Sequence, residues 1–174
     1  MLAVLGLMNA AHAQDFTLRL GPAFTFAPGF DFGINAELNG KNLAKFDSSI
    51  SLGLYGSIGL TFNGGVGFGA AVGPTINFGL NRNLGNVYAG LALGLSGGGG
   101  NTSFIFAFVS GIDYLVSPTV NLFAHLSLIV VPGFLGSLDL GADFALSRAI
   151  DAYAKLQVGF SGTFGLGLGL KFGF

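Results

Sequence analysis

Apolar residues alternate with small or polar ones along most of this chain, with a period of two. In 163–174 (TFGLGLGLKFGF), Phe164, Leu166, Leu168, Leu170, Phe172 and Phe174 share one parity, and Gly165, Gly167, Gly169, Lys171 and Gly173 share the other. In 49–62 (SISLGLYGSIGLTF), Ile50, Leu52, Leu54, Ile58, Leu60 and Phe62 alternate with Ser49, Ser51, Gly53, Tyr55, Ser57, Gly59 and Thr61. A period of two marks β-strands with one apolar face. Soluble sandwiches alternate too, but their polar face is usually charged, and here it is mostly Gly, Ser, Thr and Asn. Extended along the chain, the pattern predicts ten strands: 15–26, 30–38, 48–62, 66–80, 86–96, 102–115, 119–131, 136–146, 150–160 and 163–174.

Breaker residues separate these segments: Ala27-Pro28-Gly29, Asn39-Gly40, Asn63-Gly64-Gly65, Asn81 to Asn86, Gly97 to Asn101, Ser117-Pro118, Pro132-Gly133, Ser147-Arg148 and Ser161-Gly162. A short motif recurs at every second turn, as Asn86-Val87-Tyr88-Ala89, Asn121-Leu122-Phe123-Ala124 and Asp151-Ala152-Tyr153-Ala154. Ten strands leave about 16 residues for each strand and turn, against the 9–11 that a tilted membrane strand needs. Eight strands, with about 20 residues each, are the alternative. Pro22 and Pro74 fall inside strands at outward positions, and proline donates nothing to a ladder, so a bulge is expected at each. Gly56 and Ser110 also interrupt the apolar face.

Composition says what the apolar faces meet. Only 9% of the 174 residues are charged, 51% are hydrophobic and the mean hydropathy is +0.71. A soluble domain carries about 25% charge, so a water-exposed surface is hard to build from this chain. A net charge of −1 and a pI near 6.0 leave no footprint for nucleic acid. With no cysteine, disulfides and thiolate metal sites are excluded. A membrane helix needs about 20 apolar residues. The most apolar run, Leu126 to Leu135, is shorter and is broken by Pro132-Gly133. What remains for a lipid-facing chain is a closed β-barrel, which satisfies every backbone group inside the bilayer. Residues 1–13 read as a secretory signal peptide: Leu2 to Met8 is an apolar core and Ala11-His12-Ala13 an A-x-A cleavage site, although no Lys or Arg precedes the core. The barrel is then 14–174.

The few charges sharpen this picture. Asp15 opens the first strand, and Lys41, Lys45, Asp47, Arg82 and Arg148 are assigned to turns. The other nine, Arg19, Asp31, Glu37, Asp113, Asp139, Asp143, Asp151, Lys155 and Lys171, all have the parity opposite the bulky apolar residues of their strand. A Lys or Arg facing lipid at the bilayer midplane costs about 2–4 kcal/mol, so these charges are expected to line a lumen. Most phenylalanines have outward parity, the exceptions being Phe46, Phe123 and Phe134.

On these residues the chain resembles the bacterial outer-membrane β-barrel family, at the level shared by small OmpA-like, OmpW-like and porin-like proteins. The resemblance is carried by the Ala11-His12-Ala13 site and by the ending Gly169-Leu170-Lys171-Phe172-Gly173-Phe174. That ending is similar to the signal read by the barrel assembly machinery, with Gly169, Phe172 and Phe174 at the matching positions. Gly167 stands where the family usually has a polar residue. The resemblance implies an integral outer-membrane location and assembly through that machinery as a partner, but no particular activity.

His125 is the only histidine beyond the leader, and it points inward. Asp139 and Asp143 share its face on the next strand, and an Asp143–His125 pair has the chemistry of a base and its orienter, so a barrel hydrolase is a third reading. A lumen hydrogen bond or ion pair is the simpler use of this histidine. No metal set or cofactor is expected, and Gly97 to Gly100 lacks the continuation of a phosphate loop. Three cations against six carboxylates give the lumen a net charge of −3. In a plugged barrel, Arg19 and Lys171 meet across the seam between first and last strands, and Lys155 pairs with Asp139 or Asp143. In a pore, the inward glycines (Gly53, Gly59, Gly67, Gly69, Gly73, Gly79, Gly165, Gly167, Gly169) leave room for water, with Tyr55, Tyr88, Phe123, His125 and Tyr153 as constrictions. The same glycines also serve strand curvature. The expected function is a narrow passive pore for water, ions or very small solutes with mild cation preference. The alternative is a non-conducting structural barrel that anchors the envelope or a surface layer through envelope proteins, since every turn is short.

Overall fold

An alternating strand can hide its small face only by closing on itself or stacking on another sheet, and this chain closes. The computed structural model describes residues 16–26, 29–80, 84–131 and 133–174. The proposed leader with Ala11-His12-Ala13, together with Asp15, Ala27-Pro28, Arg82 and Pro132, lies outside the described residues. Ten strands follow in order: β1 (Phe16–Thr25), β2 (Asp31–Lys45), β3 (Ile50–Phe62), β4 (Val66–Gly79), β5 (Gly85–Gly98), β6 (Asn101–Ser117), β7 (Val120–Val131), β8 (Leu135–Ala145), β9 (Ile150–Gly159) and β10 (Phe164–Gly173). Each pairs antiparallel with its chain neighbours, and β1 pairs with β10, so the sheet is a closed up-and-down barrel. The eight-strand alternative is set aside.

The seam is as regular as the rest. Leu18 pairs with Phe172, Arg19 with Lys171 and Leu20 with Leu170. Phe16 and Phe174 exchange backbone hydrogen bonds at 3.1 and 3.0 Å, and their rings stack. The faces divide as the alternation predicts. Leu166, Leu168 and Leu170 of β10 are exposed on the outer wall, while Arg19, Asp139, Asp143 and Tyr153 are buried inside. Without a lipid solvent such an apolar outside has no physical account, and closure leaves no strand edge unpaired.

Two expectations about local structure are corrected. Asn39-Gly40 is not a turn: β2 runs on to Lys45, with Gly40 opposite Leu54 and Ala44 opposite Leu52. The register shift between them is a bulge around Asn42, whose φ of 60° is one that Asn tolerates better than most residues. The chain reverses later, where the Asp47 carboxylate accepts the backbone N–H groups of Ser49 and Ile50 at 2.6 and 2.7 Å. Lys41 and Lys45 therefore belong to a strand.

The prolines produce no bulge. Pro22 pairs with Ile34 and Pro74 with Leu54, and the registers on both sides of each proline stay in step. The device is a Gly-Pro pair. A Cβ on Gly21 would lie 1.9 Å from the Leu168 carbonyl oxygen, and one on Gly73 1.8 Å from that of Leu91. The neighbouring backbone lies close against the glycine beside the proline, and the register resumes beyond the pair without an extra residue.

Candidate functional site

The interior is organised around one carboxylate. Asp143 on β8, only 1% exposed, accepts from Arg19 Nε at 3.1 Å and Arg19 Nη2 at 2.9 Å, a bidentate pair. Its Oδ2 also accepts from Lys171 Nζ and Asn121 Nδ2, each at 3.0 Å. Lys171 reaches Asp151 at 3.0 Å as well. The register explains the gathering: Arg19 faces Lys171 on one side and Glu37 on the other, and Asp143 faces Asn121. Two adjacent cations need a shared anion, and a carboxylate inside the lumen provides it.

Two contacts then cross the bore. Arg19 Nη2 donates to Asp113 Oδ1 at 3.2 Å, joining β1 to β6. His125 Nδ1 lies 3.0 Å from Glu37 Oε1, joining β7 to β2, and His125 Nε2 lies 3.8 Å from Asp113 Oδ1. In a ring of ten strands, β1 and β6 face each other across the full diameter, as do β2 and β7. Lys155 pairs with Asp139, as the sequence anticipates. The predicted pairing of His125 with Asp143 is not formed. The register sets His125 opposite Asp139, and Asp143 commits its oxygens to Arg19, Lys171 and Asn121.

Aromatic rings brace this layer. The Arg19 guanidinium lies 4.1 Å from the Phe123 ring centroid, and Phe123 and Tyr88 both pack on His125. Tyr153 is buried beside them in the wall, against Gly169, and Tyr55 lines the space on the other side of Glu37. The recurring motif accounts for the arrangement. Its third residue is a ring (Tyr88, Phe123, Tyr153), and its first is a polar link: Asn86 donates to Asn77, Asn121 donates to Asp143, and Asp151 receives Lys171.

The layer divides the lumen into two chambers that share no lining residue. One, about 300 Å³, lies at the end where β1 begins and β10 ends, and is bounded by Arg19, Asp113, Asp143 and Lys171. Lys41, Lys45, Asp47 and Arg148, which the sequence pattern assigns to turns, line it too, the two lysines because β2 runs on to Lys45. Counting Lys41, Lys45, Asp47 and Arg148 inside brings the lumen from −3 to −1. The other chamber, about 370 Å³, rests on Glu37, His125, Asp139 and Lys155. Asp31 stands at the start of β2, well along the strand from the layer.

Most of the inward glycines leave no open space. A Cβ on Gly53 would strike Asn77 and Thr75, one on Gly59 Asn35, one on Gly67 Thr61, and one on Gly167 the Lys155 stem. Gly111 and Gly141 make room for the rings of Tyr88, His125 and Phe123. Only Gly69 and Gly79, of the nine named from sequence, have nothing within 3.5 Å. No cluster of three metal-ligating side chains occurs among the described residues.

The architecture has solved counterparts. The KdgM porin in complex with disordered oligogalacturonate matches with a TM-score of 0.57 at 10% identity, over 91% of this chain and 99% of that one. Outer membrane phospholipase A from Escherichia coli matches with a TM-score of 0.50 at 11% identity, over 90% of this chain and 95% of that one. The translocator domain of the autotransporter NalP from Neisseria meningitidis matches with a TM-score of 0.50 at 11% identity, over 99% of this chain and 94% of that one. No protein-family model matches the chain, and no curated protein matches it in sequence. The chain has the fold of outer-membrane β-barrels, a fold on which a porin, a lipase and a translocator are all built.

Proposed function

We propose that this chain is an integral outer-membrane barrel that serves as a narrow passive pathway for water and small ions, with the Arg19–Asp143 layer as its point of highest resistance. The observation that carries this reading is the pair of chambers entering from opposite ends and meeting at a single layer of polar side chains. Such a layer differs from an apolar plug. Arg19 has Asp143, Asp113 and Glu37 within 4 Å, and Lys171 has Asp143 and Asp151, so partners can exchange with one another and with water. Eight-stranded barrels are just filled by side chains, and ten strands give a wider bore. The fold likeness to a porin supports the same reading. An excess of carboxylates over cations favours mild cation preference.

The second reading is a closed structural barrel, favoured by the two contacts that bridge the full diameter. In both readings the outer wall meets outer-membrane lipid, and β10, with Gly169, Phe172 and Phe174, is presented to the barrel assembly machinery; envelope proteins are partners in the structural reading. Recording from the refolded protein in planar bilayers separates the two. Small, reproducible conductance steps are expected; silence from protein whose folding is verified by a heat-modifiable gel shift overturns the pathway and leaves the structural barrel.

A further inference from the structure

The larger chamber differs in kind from the rest of the lumen. One wall is apolar, built from Ala92 of β5, Ile105, Ala107 and Val109 of β6, and Ile129 of β7. Four of these are among the most buried apolar residues in the described chain, although they point inward, where a hydrated passage would favour polar side chains. The facing wall is polar, with Asn35, Ser57, Ser137 and Gln157. The floor carries Glu37 and Asp139, flanked by the rings of Tyr55 and Tyr88.

Two groups on that floor are incompletely satisfied. Asp139 gives one oxygen to Lys155, while its Oδ1 is buried without a hydrogen-bond partner. His125 stands against Glu37, yet neither of its ring nitrogens makes a hydrogen bond of good geometry. Both residues are more than nine-tenths buried. A buried acceptor left without a donor costs about 1–3 kcal/mol, so such atoms point to a missing partner. At about 370 Å³ the chamber lies at the small end of the range for ligand pockets, about 300–1,000 Å³.

From this combination we infer that the larger chamber is a binding site for a small organic ammonium compound with a compact apolar body. The apolar body lies against Ile105, Ala107 and Val109. The ammonium is drawn to the Asp139 carboxylate and faces the rings of Tyr55 and Tyr88, because carboxylates and aromatic faces together are the usual surroundings of a bound organic cation. Glu37 is already met by Arg19 and His125, so the carboxylate left to a ligand is Asp139, which gives only one of its oxygens to Lys155. An organic anion of the same shape meets those carboxylates and is excluded.

The test is calorimetric titration of the refolded full chain with three ligands of one shape: benzylamine, benzyl alcohol and benzoate. Saturable binding is expected in the order benzylamine, benzyl alcohol, benzoate, with benzoate not detectably bound. Asp139→Asn weakens benzylamine by about tenfold or more, and benzyl alcohol less, as expected for loss of a charge-assisted hydrogen bond. Ala107→Leu, which fills the chamber from its apolar wall and touches no charge, abolishes binding of both. The heat-modifiable gel shift selects folded protein for each variant. The inference is overturned if benzoate binds as tightly as benzylamine, if folded wild-type protein gives no saturable heat, or if benzylamine binding survives unchanged in both variants. Binding is read without a membrane potential, so its outcome is independent of whether the layer conducts.

Discussion

Arg19 and Asp113 stand on opposite walls of the barrel, on β1 and β6, and their side chains meet at 3.2 Å in the middle of the bore. The contact is possible because Arg19 is held by Asp143 from the side, which aims its second nitrogen across the lumen. The lumen is thus narrowed at one long side chain and the carboxylates that orient it.

Asp143 is the keystone of that layer, so its removal is predicted to be the most damaging single change inside the barrel. Asp143→Ala leaves Arg19 and Lys171 buried with too little negative charge, a loss of about 3–5 kcal/mol. Urea unfolding of the barrel in lipid vesicles measures it. A loss below about 1 kcal/mol, the level of an exposed pair, contradicts the arrangement.

The Gly-Pro device makes a paired prediction. Gly73→Ala places a methyl against the Leu91 carbonyl, a backbone atom that cannot swing aside, and the heat-resistant compact form is lost or weakened by about 1–3 kcal/mol. Gly69→Ala, on the same strand with nothing within 4 Å, is tolerated. Equal behaviour of the two variants in the gel-shift assay removes close approach as the reason for Gly73.

The division of faces is tested by moving one charge. Leu93→Lys, on the outer wall near the middle of β5, costs about 2–4 kcal/mol of stability in lipid. Ser57→Lys, whose side chain lines the larger chamber, costs much less and reduces cation preference instead. Vesicle unfolding reads the first effect and the reversal potential in a salt gradient reads the second.

Wild-type selectivity follows from the corrected charge count. With seven carboxylates and six cations inside, a potassium chloride gradient is expected to give a reversal potential of the cation-selective sign, with a permeability ratio of only about two. A chloride-selective potential contradicts it.

What the residue order revealed and what it hid have one physical cause. Neighbouring strands share a ladder, so parity alone brought Arg19 beside Lys171 and Lys155 beside Asp139, and it turned the nine strand charges away from the apolar wall. Contacts across the bore depend on strand number and stagger, which parity does not encode, so the meeting of Glu37 with His125 is not legible in the sequence. Asn39-Gly40 carries a strong turn signal, yet the pairing of β2 with β3 outweighed it and made a bulge of the residues that follow, moving Lys41 into the lumen. The glycines looked like empty space because a glycine says nothing of which neighbour fills it; Gly53, Gly111 and Gly141 are covered by side chains from adjacent strands.

The central claim is that the Arg19 layer, and nothing else along the bore, sets the resistance of the lumen. Single-channel conductance of Arg19→Ser against wild type in planar bilayers tests it most directly. Removing the guanidinium opens the path between the two chambers, and conductance is predicted to rise by about threefold or more with cation preference increased, since Asp143, Asp113 and Glu37 lose their shared counter-charge. A folded Arg19→Ser barrel with the conductance and selectivity of wild type contradicts the account.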